Sequence, residues 1–187
     1  RETAEEILPL LKEGAELDPL LIEKAGLEAA EVERLRRTDA GRIPEIPGYE
    51  ILGVAGSGGT ADVFEAREVK TGRVMALKVL RREAAAQRAT LRAFVDEAKL
   101  LAQLDHKGLV KGYGPARSGR LYFNRLEFVD GSTLLERLDE GTRYTEDEAL
   151  RIVLETAEVL AFLEERGVVH RDVKPGNVMI RSDGRVK

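Results

Sequence analysis

From Tyr49 to Leu80 apolar and polar positions alternate with a period of two, and a glycine cluster separates the first two strand candidates, as at the tip of a hairpin. After a turn at Lys70-Thr71-Gly72, the run Val74-Met75-Ala76-Leu77-Lys78-Val79-Leu80 reads as a third strand, with Val74, Ala76, Lys78 and Leu80 on one face. The period then becomes helical. Ala85 to Gln103 is a predicted helix whose inward stripe is Phe94, Leu101 and Leu104, and Glu97 falls on that same stripe. Asp105 to Gly114 and Arg120 to Phe128 read as two more strands, completing an antiparallel sheet of about five. Asp130-Gly131 turns the chain into a short helix, Ser132 to Leu138. Thr145 with Glu148 forms a predicted capping box opening a long helix to Arg166, with Leu150, Val153, Leu154, Ala157, Leu160 and Ala161 facing inward and Gly167 as its stop.

Before Tyr49 the pattern is thinner. Thr3 with Glu6 suggests a capping box, Asp18-Pro19 an N-cap before an N1 proline, and Gly26 a stop, so residues 1 to about 37 read as short helices. Glu28 to Arg37 carries only Ala29, Val32 and Leu35 as an apolar stripe, so these helices need another surface. A docking module and a loosely ordered extension both fit. Gly41, Pro44 and Pro47 make Thr38 to Pro47 a linker. The expected organisation is an extension and linker over residues 1–47 and one domain over 48–187.

Composition narrows the function classes. An apolar fraction of 43% with 34% charged residues is that of a folded globular chain. A net charge of −4 with mixed signs and no basic run argues against nucleic acid as a partner. The absence of cysteine excludes disulfides, thiolate metal sites and cysteine nucleophiles. No apolar stretch approaches the roughly 20 residues of a membrane span, so no membrane contact is expected in this segment and the cytoplasm is the expected compartment. The chain opens on Arg1 and not on Met, and is read as a piece of a longer protein.

The chemistry concentrates in Val168 to Ile180, Val-Val-His-Arg-Asp-Val-Lys-Pro-Gly-Asn-Val-Met-Ile. Pro175 and Gly176 forbid a continuing helix, so the polar residues sit on a turn that can aim them. Asp172, Lys174 and Asn177 place an acceptor, a cation and a neutral oxygen ligand within one short loop. Phosphoryl transfer needs such groups to orient a hydroxyl, neutralise a phosphate and hold Mg²⁺. Upstream, Gly56-Ser57-Gly58-Gly59-Thr60-Ala61-Asp62-Val63 is a hairpin tip stripped of side chains. It suits close approach of backbone N–H groups to phosphate oxygens and equally a purely structural hairpin.

His170, Arg171, Asp172, Lys174, Pro175 and Asn177 resemble the catalytic loop of the protein kinases. The resemblance extends in order through the glycine-rich loop, the Val-Met-Ala-Leu-Lys strand and the Glu97 helix, and covers Tyr49 to Lys187. It is nearest to the serine/threonine protein kinases of the eukaryotic-like bacterial type. It implies an α+β fold with a five-stranded N-lobe sheet and one long helix over residues 48–129, then the start of a mainly helical C-lobe over 130–187. ATP and Mg²⁺ are the implied cofactors, and a protein substrate with a Ser/Thr acceptor the implied partner. By resemblance, Gly56, Ser57, Gly58, Gly59 and Thr60 cover the phosphates, Lys78 holds them and Glu97 pairs with Lys78. Leu126 guards the back of the nucleotide pocket. Glu127 and Val129 belong to the hinge that meets the adenine edge, and Val63, Ala76 and Met179 sandwich the base. Asp172 accepts the hydroxyl proton, Lys174 neutralises the transferring group and Asn177 ligates the metal.

Some positions depart from the family pattern: Ala61 at the third glycine, Ala55 before the loop, and Gly112, Asn124 and Arg125 where apolar residues are usual. They leave a rival expectation, a pseudokinase that binds nucleotide or scaffolds without catalysis. The family's metal-binding Asp-Phe-Gly motif does not occur in the sequence, and the chain alone is therefore expected to be inactive.

Overall fold

The computed structural model describes residues 43–187. The helices expected before residue 38, and the first half of the linker, lie outside the described residues. Ile46, expected to be linker, is instead 3% exposed and packs with Phe64, Ala66, Met75, Leu77, Val79 and Phe123. Tyr49 N–H bonds back to its carbonyl, so the packed structure begins before the first strand.

The sheet strands are β1 (Tyr49–Ser57), β2 (Ala61–Glu68), β3 (Val74–Leu80), β4 (Gly112–Ser118) and β5 (Leu121–Glu127). They form one five-stranded antiparallel sheet in the order β1-β2-β3-β5-β4. β3 is central and buried on both faces: Met75, Leu77 and Val79 enter the cluster around Phe64 and Phe123, while Leu80 joins Ala61, Ala84 and Phe94 on the opposite side. Lys78 shares the face of Leu80 by strand alternation.

Three expected elements are corrected. Asp105 to Lys111 is loop, and the fourth strand runs on from Gly112 through Pro115 to Ser118. Proline is tolerated because β4 is the sheet edge. The helix expected from Ala85 is broken into α1 (Arg82–Ala85) and α2 (Arg88–Gln103), with Gln87 extended between them. Ala84 is buried against Leu80 and Phe94, so packing decides a break that no glycine or proline announces. Third, Gly131–Thr133 is a strand, β6, before α3 (Leu134–Asp139), with Thr133 and Glu136 forming a capping box.

The long helix α4 (Glu146–Glu164) has the predicted Thr145/Glu148 capping box, and the N–H of Thr145 holds the Glu148 carboxyl below its ordinary pKa. Its inward face is not the expected one. Ile152, Val159 and Leu163 are buried, whereas Leu150, Val153 and Leu154 are 52%, 62% and 63% exposed and Ala157 and Ala161 are also exposed. Of the expected stripe only Leu160 is partly covered. The helix is apolar on two faces, and periodicity gives a spacing but not which face is covered. After α4 the chain passes a single-turn 3-10 helix (Pro175–Asn177) into β7 (Met179–Arg181), which pairs with β6. Ile180 and Val186 bridge across the Ser182-Asp183-Gly184 turn and pack on Ile152.

Candidate active site

The β1–β2 hairpin and the end of β5 face each other across a cavity of about 990 Å³. Gly56, Ser57, Asp62 and Val63 line it from the hairpin, Ala76 from β3, Leu126, Glu127 and Val129 from the β5 end, and Met179 from β7. Val63, Ala76 and Met179, expected to sandwich a base, thus border one space. The hairpin tip folds tightly: Gly58 N–H bonds to the Ala61 carbonyl at 2.9 Å, and a Cβ on Gly58 would stand 3.2 Å from that oxygen. Gly58, Gly59 and Thr60 are exposed and do not line the cavity.

The β5 end offers a donor and an acceptor to a planar ligand. Among the described residues the backbone N–H and C=O of Val129 have no hydrogen-bond partner, although the residue is 8% exposed. Buried backbone groups are nearly always paired, so these two could serve a ligand. Glu127 lines the same cavity and ties the end of β5 to its surroundings. Its N–H bonds to the Lys111 carbonyl at 2.9 Å, and its carboxylate accepts the Lys111 N–H at 3.1 Å and pairs with Lys187 at 2.7 Å.

A second cavity, about 530 Å³, adjoins the first at Val110 and is lined by Lys78, Glu97, His170, Asp172 and Asn177 among apolar side chains of α2 and α4. Lys78 Nζ lies 2.8 Å from Glu97 Oε1, with the side chains 32% and 57% exposed. Strand alternation and helical spacing therefore do bring this lysine and glutamate together. The pair is wet, however, and its direct contribution to stability is about 0–1 kcal/mol, not that of a buried pair. The ammonium also stands 5.9 Å from the Phe94 ring centroid.

On the loop before β7, Arg171 has φ 64, a left-handed conformation rare outside glycine. This sharp turn presents Asp172. Lys174 Nζ is 2.9 Å from Asp172 Oδ2, and Asn177 Nδ2 donates to Oδ2 at 2.8 Å and to the Asp172 carbonyl at 2.7 Å. The Lys174 hydrogen bond, then that of Asn177, holds the Asp172 carboxyl below its ordinary pKa. Because both acceptors of Asn177 are oxygens of Asp172, its amide nitrogen must face them, which leaves Oδ1 available to a cation. Asp172 Oδ1 likewise has no partner among the described residues. Lys174 borders neither cavity, and its side chain is 57% exposed.

The sequence reading overlooked Ile43, Thr133 and Glu136, which also line the larger cavity. The Thr133-x-x-Glu136 capping box was a legible signal for the latter two; nothing marked Ile43. Of the departures from the family pattern nothing in the structure explains Ala55, and the others have contacts of their own. A Cβ on Gly112 would lie 2.9 Å from Leu101 Cγ and 3.0 Å from the Ala102 backbone nitrogen, so β4 touches the α2 backbone only as glycine. Asn124, 2% exposed, donates from Nδ2 to the Phe94 carbonyl at 3.3 Å and ties the sheet to α2 one turn before Glu97. Arg125 reaches the Tyr113 carbonyl at 2.7 Å. Ala61 is buried beside Leu80 and Phe94.

Comparison with known proteins agrees with this geometry. Residues 49–187 match the protein kinase domain, and the chain belongs to the protein kinase family. It is 34% identical over 139 residues to the serine/threonine-protein kinase PrkC of Bacillus subtilis, an alignment covering 74% of this chain and 22% of the relative. Against the serine/threonine-protein kinase PknB of Mycobacterium leprae identity is 35% over 143 residues, 74% of this chain and 23% of the relative. An Aurora kinase of Schizosaccharomyces pombe is 30% identical over 139 residues, 74% and 39% respectively. The chain thus spans less than a quarter of the length of these bacterial relatives.

Proposed function

We propose that this chain carries the nucleotide-binding and catalytic-loop part of a protein that transfers the γ-phosphate of ATP to serine or threonine hydroxyls of other proteins. In this reading residues 48–129 are the nucleotide lobe, residues 130–187 begin the lobe that presents the acceptor, and residues 1–47 are an extension. The observation that carries it is the bonded set Asp172, Lys174 and Asn177, with separations of 2.7–2.9 Å, on a loop bordering the same cavity as Lys78 and Glu97.

The adenine edge meets the free N–H and C=O of Val129 between Val63, Ala76 and Met179. Gly56 and Ser57 cover the phosphates with Gly58, Gly59 and Thr60 at the tip, and Lys78, oriented by Glu97, holds them. The acceptor hydroxyl donates its hydrogen bond to Asp172 Oδ1. As the hydroxyl oxygen bonds to phosphorus and the bridging oxygen to ADP leaves, the proton passes to Asp172. Lys174 keeps that carboxylate ionised and offsets charge on the transferring group. Mg²⁺ ordinarily neutralises the phosphates in this chemistry, and Asn177 Oδ1 is the ligand this loop would give it. Among the described residues no group of three or more His, Cys, Asp or Glu is arranged to hold a metal, so no step is assigned to the ion. No helix among the described residues is long and apolar enough to cross a membrane, and a segment that uses ATP in this reading would act in the cytoplasm.

The residues that favoured a non-catalytic reading, Ala61, Gly112 and Asn124, are explained by packing and carry no argument for lost activity. The test is incubation of the full-length protein with γ-labelled ATP, Mg²⁺ and a generic protein substrate, followed by phosphoamino-acid analysis. Label on serine or threonine is expected; nucleotide binding without transfer, or label on tyrosine alone, contradicts the proposal.

A further inference from the structure

The glycine-rich tip has few side chains with which to hold itself, yet both of its limbs are gripped by one residue outside it. Arg81 follows β3 immediately, three residues after Lys78. Its backbone N–H bonds to the Thr60 carbonyl at 2.9 Å. Its guanidinium takes both carboxylate oxygens of Asp62, Nε to Oδ2 at 3.0 Å and Nη2 to Oδ1 at 2.7 Å, and Nη2 also donates to the Ser57 hydroxyl at 2.8 Å. Ser57 in turn donates to Asp62 Oδ1 at 2.6 Å. Ser57 ends the ascending strand, Asp62 lies on the descending one, and the two are register partners. The fork therefore closes the hairpin across its width.

The grip is not surface ornament. The Arg81 and Asp62 side chains are only 28% and 17% exposed, both less so than Lys78 and Glu97. Ser57, Asp62 and Arg81 all line the nucleotide cavity, and a bidentate guanidinium–carboxylate pair fixes direction as well as distance. Val63 is the register partner of Lys78, so the strand that Arg81 follows also carries the lysine proposed to hold the phosphates. A glycine-rich hairpin left to itself must be ordered when a phosphate binds, at a cost in affinity that pre-organisation removes.

We propose that Arg81 is a positioning residue for nucleotide phosphates: through Asp62 and Ser57 it latches the glycine-rich hairpin in register with Lys78 before ligand arrives. This rests on the ATP-binding reading above. Because the latch acts on the phosphate-covering tip and not on the β5 end, its loss weakens ATP and spares adenosine.

The test is calorimetric titration of the full-length protein with Mg-ATP and, separately, with adenosine, for wild type, Arg81→Ala, Asp62→Asn and the double variant. Each single change is expected to weaken ATP by about tenfold while adenosine affinity stays the same, and the double variant is expected to be no weaker than the singles because the two groups act as one unit. Unchanged ATP affinity, or equal losses for ATP and adenosine, overturns the latch and leaves the nucleotide site intact. If Arg81→Ala does not fold, as judged by circular dichroism, Asp62→Asn decides alone, since it keeps the shape of the side chain and removes only its charge. A wild-type chain that binds neither ligand overturns the ATP-binding reading itself, and the latch with it.

Discussion

Asp172 shows how little of a residue's state its motif reveals. Its place in the loop was legible from six residue types at fixed spacing, but the hydrogen bonds of Lys174 and Asn177 and the left-handed Arg171 before it were not, because they depend on side-chain direction and backbone sign. Those contacts depress the Asp172 pKa. A carboxyl depressed in the folded state contributes stability that is present above its unfolded pKa and lost as pH falls through the folded one. Lys174→Met should therefore move the Asp172 carboxyl midpoint up in a carbon-detected NMR titration. An unmoved midpoint would contradict the pairing. Gly112 is the converse case, a residue that looked anomalous beside the family pattern and turns out to be required by a backbone contact from a distant helix. Gly112→Ala is expected to cost about 1–3 kcal/mol in urea unfolding by overpacking against Leu101 and Ala102, and a neutral result would mean that α2 can yield there.

Among the elements, the sheet was the most legible part and the long helix the least. Period-two alternation located β1 to β3 because one face of each strand is apolar and the other mixed. β4 lies later than the expected Asp105 to Gly114, because at the sheet edge the strand can continue through Pro115. For α4 the helix itself, its cap and its stop were readable, but two apolar stripes of equal spacing hid which one the paired strands β6 and β7 and the Leu104 loop would cover. The corrected face makes a sharp prediction. Ile152→Ala should lose about 2–4 kcal/mol, whereas Leu154→Gln should change stability by less than about 0.5 kcal/mol. Chemical denaturation of the two variants decides the matter, and a reversed order would restore the face expected from sequence. Leu150, Val153 and Leu154 also form an exposed apolar patch, so Leu154→Gln is expected to reduce self-association in sedimentation runs.

At the scale of the whole molecule, the two cavities meet at Val110. The larger is lined mainly by the sheet, the smaller in part by the loop before β7, and Lys187 reaches Glu127 at the end of β5 with side chains 10% and 25% exposed. That tie was invisible in the sequence, since nothing in the spacing of Glu127 and Lys187 connects them. The central claim is that Asp172 accepts the proton of a hydroxyl while the cavities hold ATP independently of it. The most direct measurement is phosphate transfer by the full-length protein carrying Asp172→Asn, with ATP affinity determined alongside. Turnover is predicted to fall by about 10²- to 10⁴-fold with ATP affinity unchanged, the usual scale of general-base assistance. Transfer at the wild-type rate, or a loss that follows weakened ATP binding, would contradict it.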